Sequence, residues 1–391
     1  MMRISLFSVC FLAGPVWAEV EQGPPNTGFS AAFASQSRVQ ALPATAVTVE
    51  RFVDGLENPW GIATLPDGGW LVTERPGRLR LISAEGLVSN PISGLPAVAA
   101  IEQGGLLDVA IAPDFATSRV VWWTYAKPLA IGFATAAARG TLSDDSTALT
   151  DVVDIFVQDP PSIVPAHYGS RVVFDGQGHV FITTGERFTE ANRLLAQDLD
   201  TTYGKVIRLT ETGTIPADNP FVGRAGDDQI WSFGHRNVQG AAIDPATGAL
   251  WAVEHGPQGG DELNHPQAGL NYGWPLVSYG ENYDGSPVGT GAARADGVEE
   301  PVYYWDPVIA PGGMSFYQGN AFADWQGDLL IGSLNPGALV RIKLANGRVI
   351  GEERVITDVG RVRDVEELAD GGLLLLIDDS QGGILRVRPQ R

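Results

Sequence analysis

Short apolar runs, cut at close intervals by Gly, Pro and Asp-Gly turns, recur along the chain and predict strands rather than helices. Gly61-Ile62-Ala63-Thr64-Leu65 enters the turn Pro66-Asp67-Gly68-Gly69, and Trp70 to Thr73 and Arg78 to Ile82 follow. That order reads as three consecutive antiparallel strands, because Asp-Gly supplies the positive φ that tight hairpins need. The phrase returns at 171–176, 179–183 and 205–209, at 241–244 and 249–253, at 313–316, 328–332 and 338–342, and at 363–365, 372–376 and 384–387. A weaker copy covers 105–111 and 119–124. About six units at irregular spacings of roughly 45 to 70 residues predict an all-β fold, a six-bladed β-propeller with four-stranded antiparallel blades. The competing architectures, a β-sandwich or two stacked barrels, do not repeat one three-strand phrase through a whole chain.

The N-terminal stretch carries no such repeat. Met-Met-Arg, an apolar run from Ile4 to Phe11 and then Val16-Trp17-Ala18 follow the order of a secretory signal peptide, with cleavage expected after Ala18. Residues 1–18 are thus expected to be removed, 19–48 to form a flexible lead-in, and 49–391 to form one propeller domain; Ala130 to Thr150 read as an edge loop. No later stretch approaches the roughly 20 apolar residues of a spanning helix. The expectation is a periplasmic or secreted protein without stable membrane insertion.

Composition narrows the chemistry. The one cysteine, Cys10, lies in the segment expected to be removed, so disulfides, thiolate ligands and a cysteine nucleophile are not expected. With 46 acidic against 26 basic residues the net charge is −20, which disfavours nucleic acid and anionic lipid as partners. Phosphate loops, nucleotide fingerprints, His-Glu-x-x-His pairs and nucleophile elbows are missing from the sequence.

In a propeller the first strand of each blade lines the central channel, so polar residues just before those strands converge on one rim. Gln103, His167, Arg236, Asn237, Arg361 and Arg363 occupy such places. Of the five histidines, His167 in Pro-Ala-His-Tyr-Gly-Ser-Arg is best placed to act as a base. His179 reads as solvated, and His235, His255 and His265 as turn or packing residues. The three arginines either form a pocket for an anionic ligand or pair with neighbours such as Asp364 and Glu366. Asp261-Glu262, beside Gly259-Gly260, offers hard oxygens to calcium or is simply solvated.

These phrases, with Glu102 to Asp108, Gly204 to Leu209, Ile230 to Asn237, Glu254 to Glu262 and Asn271 to Pro275, resemble the soluble aldose sugar dehydrogenases, relatives of soluble quinoprotein glucose dehydrogenase. The resemblance runs from about Phe52 to Pro389. It implies a six-bladed propeller using pyrroloquinoline quinone and calcium to oxidise the C1 hydroxyl of aldose sugars to lactones, with electrons passed to an external acceptor, a quinone or a cytochrome, by a monomer or homodimer. It makes His167 the base, with Arg236 near the quinone oxygens, and gives Gln103, Arg236, Asn237, Tyr283, Asn335, Arg361 and Arg363 to the cofactor. The Gly256 and Pro257 carbonyls would bind one calcium, and Glu262 with the Tyr272 carbonyl a second, structural one. Asn335 stands where the family commonly has a lysine, which would remove one charge-assisted contact worth about 1.5–3 kcal/mol. Two other classes remain open on the residues alone: a calcium-dependent propeller lactonase, and a non-catalytic sugar- or partner-binding propeller that has lost the cofactor.

Overall fold

The computed structural model describes residues 18–390, so the expected signal peptide lies, except for Ala18, outside the described residues. Strand β1 (Val47–Leu56) comes first. Blade 1 holds β2 (Pro59–Thr64), β3 (Trp70–Glu74) and β4 (Arg78–Ile82), and blade 2 holds β5 (Leu106–Ile111), β6 (Val120–Pro128), β7 (Phe133–Leu142) and β8 (Leu149–Val157). Blade 3 is β9 (Gly169–Phe174), β10 (His179–Thr184), β11 (Lys205–Thr210) and β12 (Ile230–Phe233); blade 4 is β13 (Val238–Ile243), β14 (Leu250–Glu254), β15 (Asp261–Asn264) and β16 (Tyr303–Trp305). Blade 5 is β17 (Pro311–Phe316), β18 (Leu329–Ser333), β19 (Ala338–Ala345) and β20 (Arg348–Thr357). Blade 6 is β21 (Val362–Glu367), β22 (Leu373–Ile377) and β23 (Gly382–Pro389), completed by β1 as its outer strand. Pairing of Val47 with Pro389 through Leu56 with Gly382 closes the ring with residues from opposite ends of the repeat. In blade 1 the outer position holds only the single bridge Ile82–Val88.

Every pair of neighbouring blades encloses its own apolar cluster. Between blades 4 and 5, for example, Trp251, Tyr303 and Trp305 meet Phe316, Leu329 and Val340; blades 6 and 1 meet through Leu374, Leu376 and Ile384 against Ile62, Trp70 and Val72. A second strand such as β22, Leu-Leu-Leu-Leu-Ile, is buried along its whole length because both of its faces abut a neighbouring blade.

Two expectations are corrected. Residues 19–46 are not a loose lead-in: Glu19 bridges Gln40, Ala41 bridges Glu352, and Asp306 accepts hydrogen bonds from the Asn26 and Thr27 amides at 2.8 and 2.9 Å. Fully buried Gln36 donates to Glu300 (2.8 Å) and to the Pro301 carbonyl (3.0 Å). The polar composition misled because the segment is held by hydrogen bonds rather than by apolar packing. The supposed edge loop 130–150 contains β7, whose alanines 134, 136, 137 and 138 are buried in blade 2. Small side chains beside Trp122 and Trp123 fill that space, and alanine carries too weak a hydrophobic signal to announce a strand. Among the described residues no helix is long and apolar enough to cross a membrane.

Candidate functional site

The channel is divided in two. Near its middle Arg171, the third residue of β9, pairs with Asp108 of β5 (2.8 Å) and Asp364 of β21 (3.0 Å). On one side of this plug lies a cavity of about 400 Å³ lined by Trp60, Arg75, Gln103, His167, Arg236, Asn237, His255, Tyr283, Leu334, Arg361, Arg363 and Asp378, with a few polar neighbours. Six of the residues expected from the sequence, together with Tyr283, therefore meet there.

His167 is buried, at φ 49°, and its Nδ1 lies 2.8 Å from the Glu186 carboxylate. Glu186 follows β10, and the same carboxylate oxygen accepts the Phe188 amide. The Phe188 ring meets the imidazole edge to face at 5.1 Å. Gly185 is required here, because a Cβ on it would come within 2.1 Å of the His167 carbonyl oxygen. Arg187 and Phe188 are both left-handed (φ 66° and 73°), a costly conformation that concentrates around this pair. Gln103 Oε1 accepts the His167 amide at 2.9 Å, and Asn237 Oδ1 accepts the Gly169 amide at 3.0 Å. The imidazole is thus fixed through both its ring and its backbone.

Electrostatics keep this histidine neutral. Burial lowers its pKa below the ordinary value, Glu186 opposes that, and the charges of Arg236 and Arg187 reinforce it. Glu186, which burial alone would push up, is held low by His167, Arg236 and the Phe188 amide. Nδ1–H therefore donates to Glu186, and Nε2 keeps the basic lone pair. Activity that needs this base should have an acid limb below the ordinary histidine range. Glu186→Gln removes an influence that raises the His167 pKa, so the limb should move to still lower pH. The plateau should also fall by a share of the roughly 10²- to 10⁴-fold that a positioned base contributes. A kcat/KM profile whose limb moves upward would contradict the assignment.

Across the cavity, Arg363 donates to Asp378 (2.7 Å) and to Gln239 Oε1 (2.5 Å), and exposed Arg361 reaches the same Asp378 oxygen at 3.5 Å. Buried Arg236 stands over the Trp274 ring (5.1 Å) and donates to the His255 carbonyl (3.0 Å); the Tyr283 hydroxyl lies 3.4 Å from its Nη2. The Nε atoms of Arg236 and Arg363 are buried without a protein partner. Asn335 is not brought in: it is exposed, and Leu334 lines the cavity in its place. The turn after β18 bonds through the Leu334 amide to the Ala310 carbonyl (2.9 Å), which turns residue 334 inward and residue 335 out.

Three of the four residues expected to bind calcium meet, and the fourth does not. A second, much smaller cavity is lined by Glu254, His255, Gly256, Gly260, Glu262 and Tyr272, whereas buried Pro257 does not border it. Asp261 is a brace, not a free ligand, since it accepts the amides of Gly256, Ile309 and Ala310 at 2.6–2.7 Å. Among the described residues no three acidic, His or Cys side chains are arranged to hold a metal. His235, expected to be a packing residue, is fully buried, with Nδ1 on Glu254 (2.9 Å) and its ring stacked on Tyr272 (4.7 Å).

A neutral base fixed by a carboxylate, in the wall of a cup that gathers guanidinium groups, suits removal of a proton from a neutral substrate beside a bound polyanion. The sequence matches the Glucose / Sorbosone dehydrogenase family over residues 56–386, and the chain belongs to that family. It is 46% identical over 360 residues to aldose sugar dehydrogenase YliI of Escherichia coli (strain K12), covering 90% of this chain and 96% of that protein. The crystal structure of the soluble aldose sugar dehydrogenase from Escherichia coli in the apo-form superposes with a TM-score of 0.85 at 45% identity, over 88% of this chain and all of that one. The PQQ-bound form of aldose sugar dehydrogenase from Streptomyces coelicolor superposes with a TM-score of 0.74 at 26% identity, over 89% of this chain and all of that one.

Proposed function

We propose that this chain is a periplasmic, pyrroloquinoline quinone-dependent aldose sugar dehydrogenase that converts the C1 hydroxyl of aldoses to lactones and hands the electrons to an external quinone or cytochrome. The observation that carries this reading is the His167–Glu186 pair set in the wall of the arginine-lined cavity. Periplasmic location rests on the N-terminal pattern of charged, apolar and small residues.

The residues present fit a planar tricarboxylate quinone. Arg236 and the Arg361–Arg363 pair, the latter only partly neutralised by the one Asp378 carboxylate, line the cavity and offer guanidinium donors to an anion. Gln103, Arg236, Asn237, Tyr283, Arg361 and Arg363 would hold the cofactor. The chemistry supplied by the bound quinone is acceptance of a hydride, two electrons and one hydrogen nucleus, from the sugar C1. His167 takes the proton of the anomeric hydroxyl on Nε2, and the C1–O bond becomes the lactone carbonyl. Glu186 stabilises the imidazolium so formed, and Arg236 would stabilise the negative charge that develops on the quinone oxygens.

Calcium fits less directly. The Gly256 and Pro257 carbonyls, and Glu262 with the Tyr272 carbonyl, are the oxygens assigned to it, so main-chain groups would supply most of the ligands. Glu254 and Glu262 line the same small cavity as Gly256 and Tyr272, and two carboxylates beside main-chain oxygens suit a hard divalent cation.

The test is reconstitution of purified apoprotein with pyrroloquinoline quinone, calcium, a panel of aldoses and an artificial electron acceptor. Turnover that needs both additions is expected. Absence of turnover together with absence of cofactor binding by calorimetry would refute the reading, and calcium-dependent lactone hydrolysis without quinone would favour the lactonase instead.

A further inference from the structure

Charge in the cavity is unevenly balanced. Its wall carries four guanidinium groups, Arg75, Arg236, Arg361 and Arg363, against the carboxylates of Asp378 and Asp379. Asp378 is shared by Arg361 and Arg363, and burial notwithstanding, Arg363 and Asn58 hold its carboxyl far below the usual range. Asp379 turns to its own loop, where Oδ1 accepts the Gln381 amide at 2.8 Å. Arg75 makes no ion pair among the described residues; Nη1 donates to the Glu102 carbonyl (2.6 Å), and Nε is buried and unpartnered.

The position of Arg75 is set firmly. It follows β3 directly, its amide donates to the Asn58 carbonyl (3.1 Å), and its own carbonyl accepts the Leu106 amide (3.1 Å) from the start of blade 2. The side chain therefore reaches the cavity from a rim clamped between two blades. Its charge is felt by both Arg363 and Asp378 across the same wall.

We infer that Arg75 is a carboxylate-binding residue for the cofactor, forming with Arg361 and Arg363 a three-arginine cluster on the wall shared by blades 1 and 6. With one of the charges of Arg361 and Arg363 cancelled by Asp378, that pair alone presents a net single positive charge. Arg75 doubles it. A polycarboxylate would thus be oriented with its charged edge toward blades 1 and 6 and away from His167 on blade 3. This inference rests on the proposed cofactor and extends the set of residues that hold it.

Calorimetric titration of apoprotein with pyrroloquinoline quinone, in the absence of sugar, tests it. Arg75→Ala should weaken binding by about 10- to 100-fold, the range for one charge-assisted contact, and Arg75→Lys should recover most of that. Affinity should also fall less steeply between low and high salt in Arg75→Ala than in the wild type, because one attraction subject to screening is gone. Unchanged affinity in Arg75→Ala would overturn the inference. So would an equal loss in both variants accompanied by a lower apoprotein Tm, which would make the Glu102 brace, not the charge, responsible. If the wild-type chain itself binds no quinone, the cofactor reading fails and Arg75's role with it; binding by the wild type with no effect at Arg75 refutes the inference alone.

Discussion

His167→Ala is expected to lower kcat of the reconstituted enzyme by about 10²- to 10⁴-fold, the contribution of a positioned general base, while calorimetry still registers the cofactor. The imidazole is the only neutral nitrogen base in the cavity wall that is held by a carboxylate: His255, the other histidine there, has Nε2 committed to the Pro311 carbonyl at 2.8 Å. Because Glu186 acts through His167, the two should not add. Glu186→Gln in the His167→Ala background should cost little more than His167→Ala alone, as for residues that work as one unit. A His167→Ala enzyme within tenfold of wild type would assign the proton transfer elsewhere. Full additivity of the two substitutions would deny that Glu186 works through the imidazole.

The sequence disclosed the ring and about half of its rim, for a reason that the topology explains. Each blade's first strand starts at the active face, and its second strand, being antiparallel, ends there. Reading only the residues before the first strands found Gln103, His167, Arg236, Asn237 and Arg361, with Arg363 at the second position of its strand. The residues just after the second strands escape that reading: Arg75 after β3, Glu186 after β10, Leu334 after β18 and Asp378 after β22 go unnamed, and His255 after β14 reads only as a turn or packing residue. The signal was present in the chain, in phrases such as Thr184-Gly185-Glu186 and Ile377-Asp378-Asp379. Asn335 shows the limit of that rule. Which of two neighbouring turn residues faces inward depends on hydrogen bonds from Ser333, Leu334 and Asn335 to the carbonyls of Ile309 and Ala310, and no pattern of types reveals it. The clamped segment 19–46 was illegible for a related reason, since its partners, Asp306, Glu300 and Glu352, lie about 250 to 330 residues away in sequence.

Arg171→Met is expected to destabilise the protein by about 3–5 kcal/mol, the cost of breaking a buried ion pair by removing one partner, read as a lower urea midpoint. The plug unites the ring across its axis. Arg171 of blade 3 binds Asp108 of blade 2, Asp364 of blade 6 and the Gln239 carbonyl of blade 4 (3.0 Å), and lies over the Trp60 ring of blade 1 at 4.6 Å. Blade 5 contributes an absence of bulk: a Cβ on Gly313 would sit 1.7 Å from Asp364 Oδ1. All six blades therefore depend on the same few atoms.

The loss should depend on pH in a defined direction. Burial pushes the Asp108 carboxyl up, Arg171 opposes that, and the Asp364 charge adds to it. An acid whose folded pKa lies above its unfolded value holds more protons in the folded state, so stability falls as pH rises from the unfolded pKa through the folded one. Without Arg171 the opposing influence is gone and Asp108 moves higher still. The deficit of Arg171→Met should therefore be smaller at pH 5 than at pH 8. Adding Asp108→Asn and Asp364→Asn to Arg171→Met should restore much of the midpoint at pH 8, because the stranded charges are removed while an acceptor for the Val172 amide (2.8 Å in the wild type) is kept. Failure of that triple variant to recover would make the lost packing on Trp60, not the unpaired carboxylates, the source of the instability. Trp60 also lines the active cavity, with Arg363 5.6 Å from its ring on that side, so the packing outcome would additionally predict weaker cofactor binding in the triple variant, whereas the charge outcome predicts binding close to wild type.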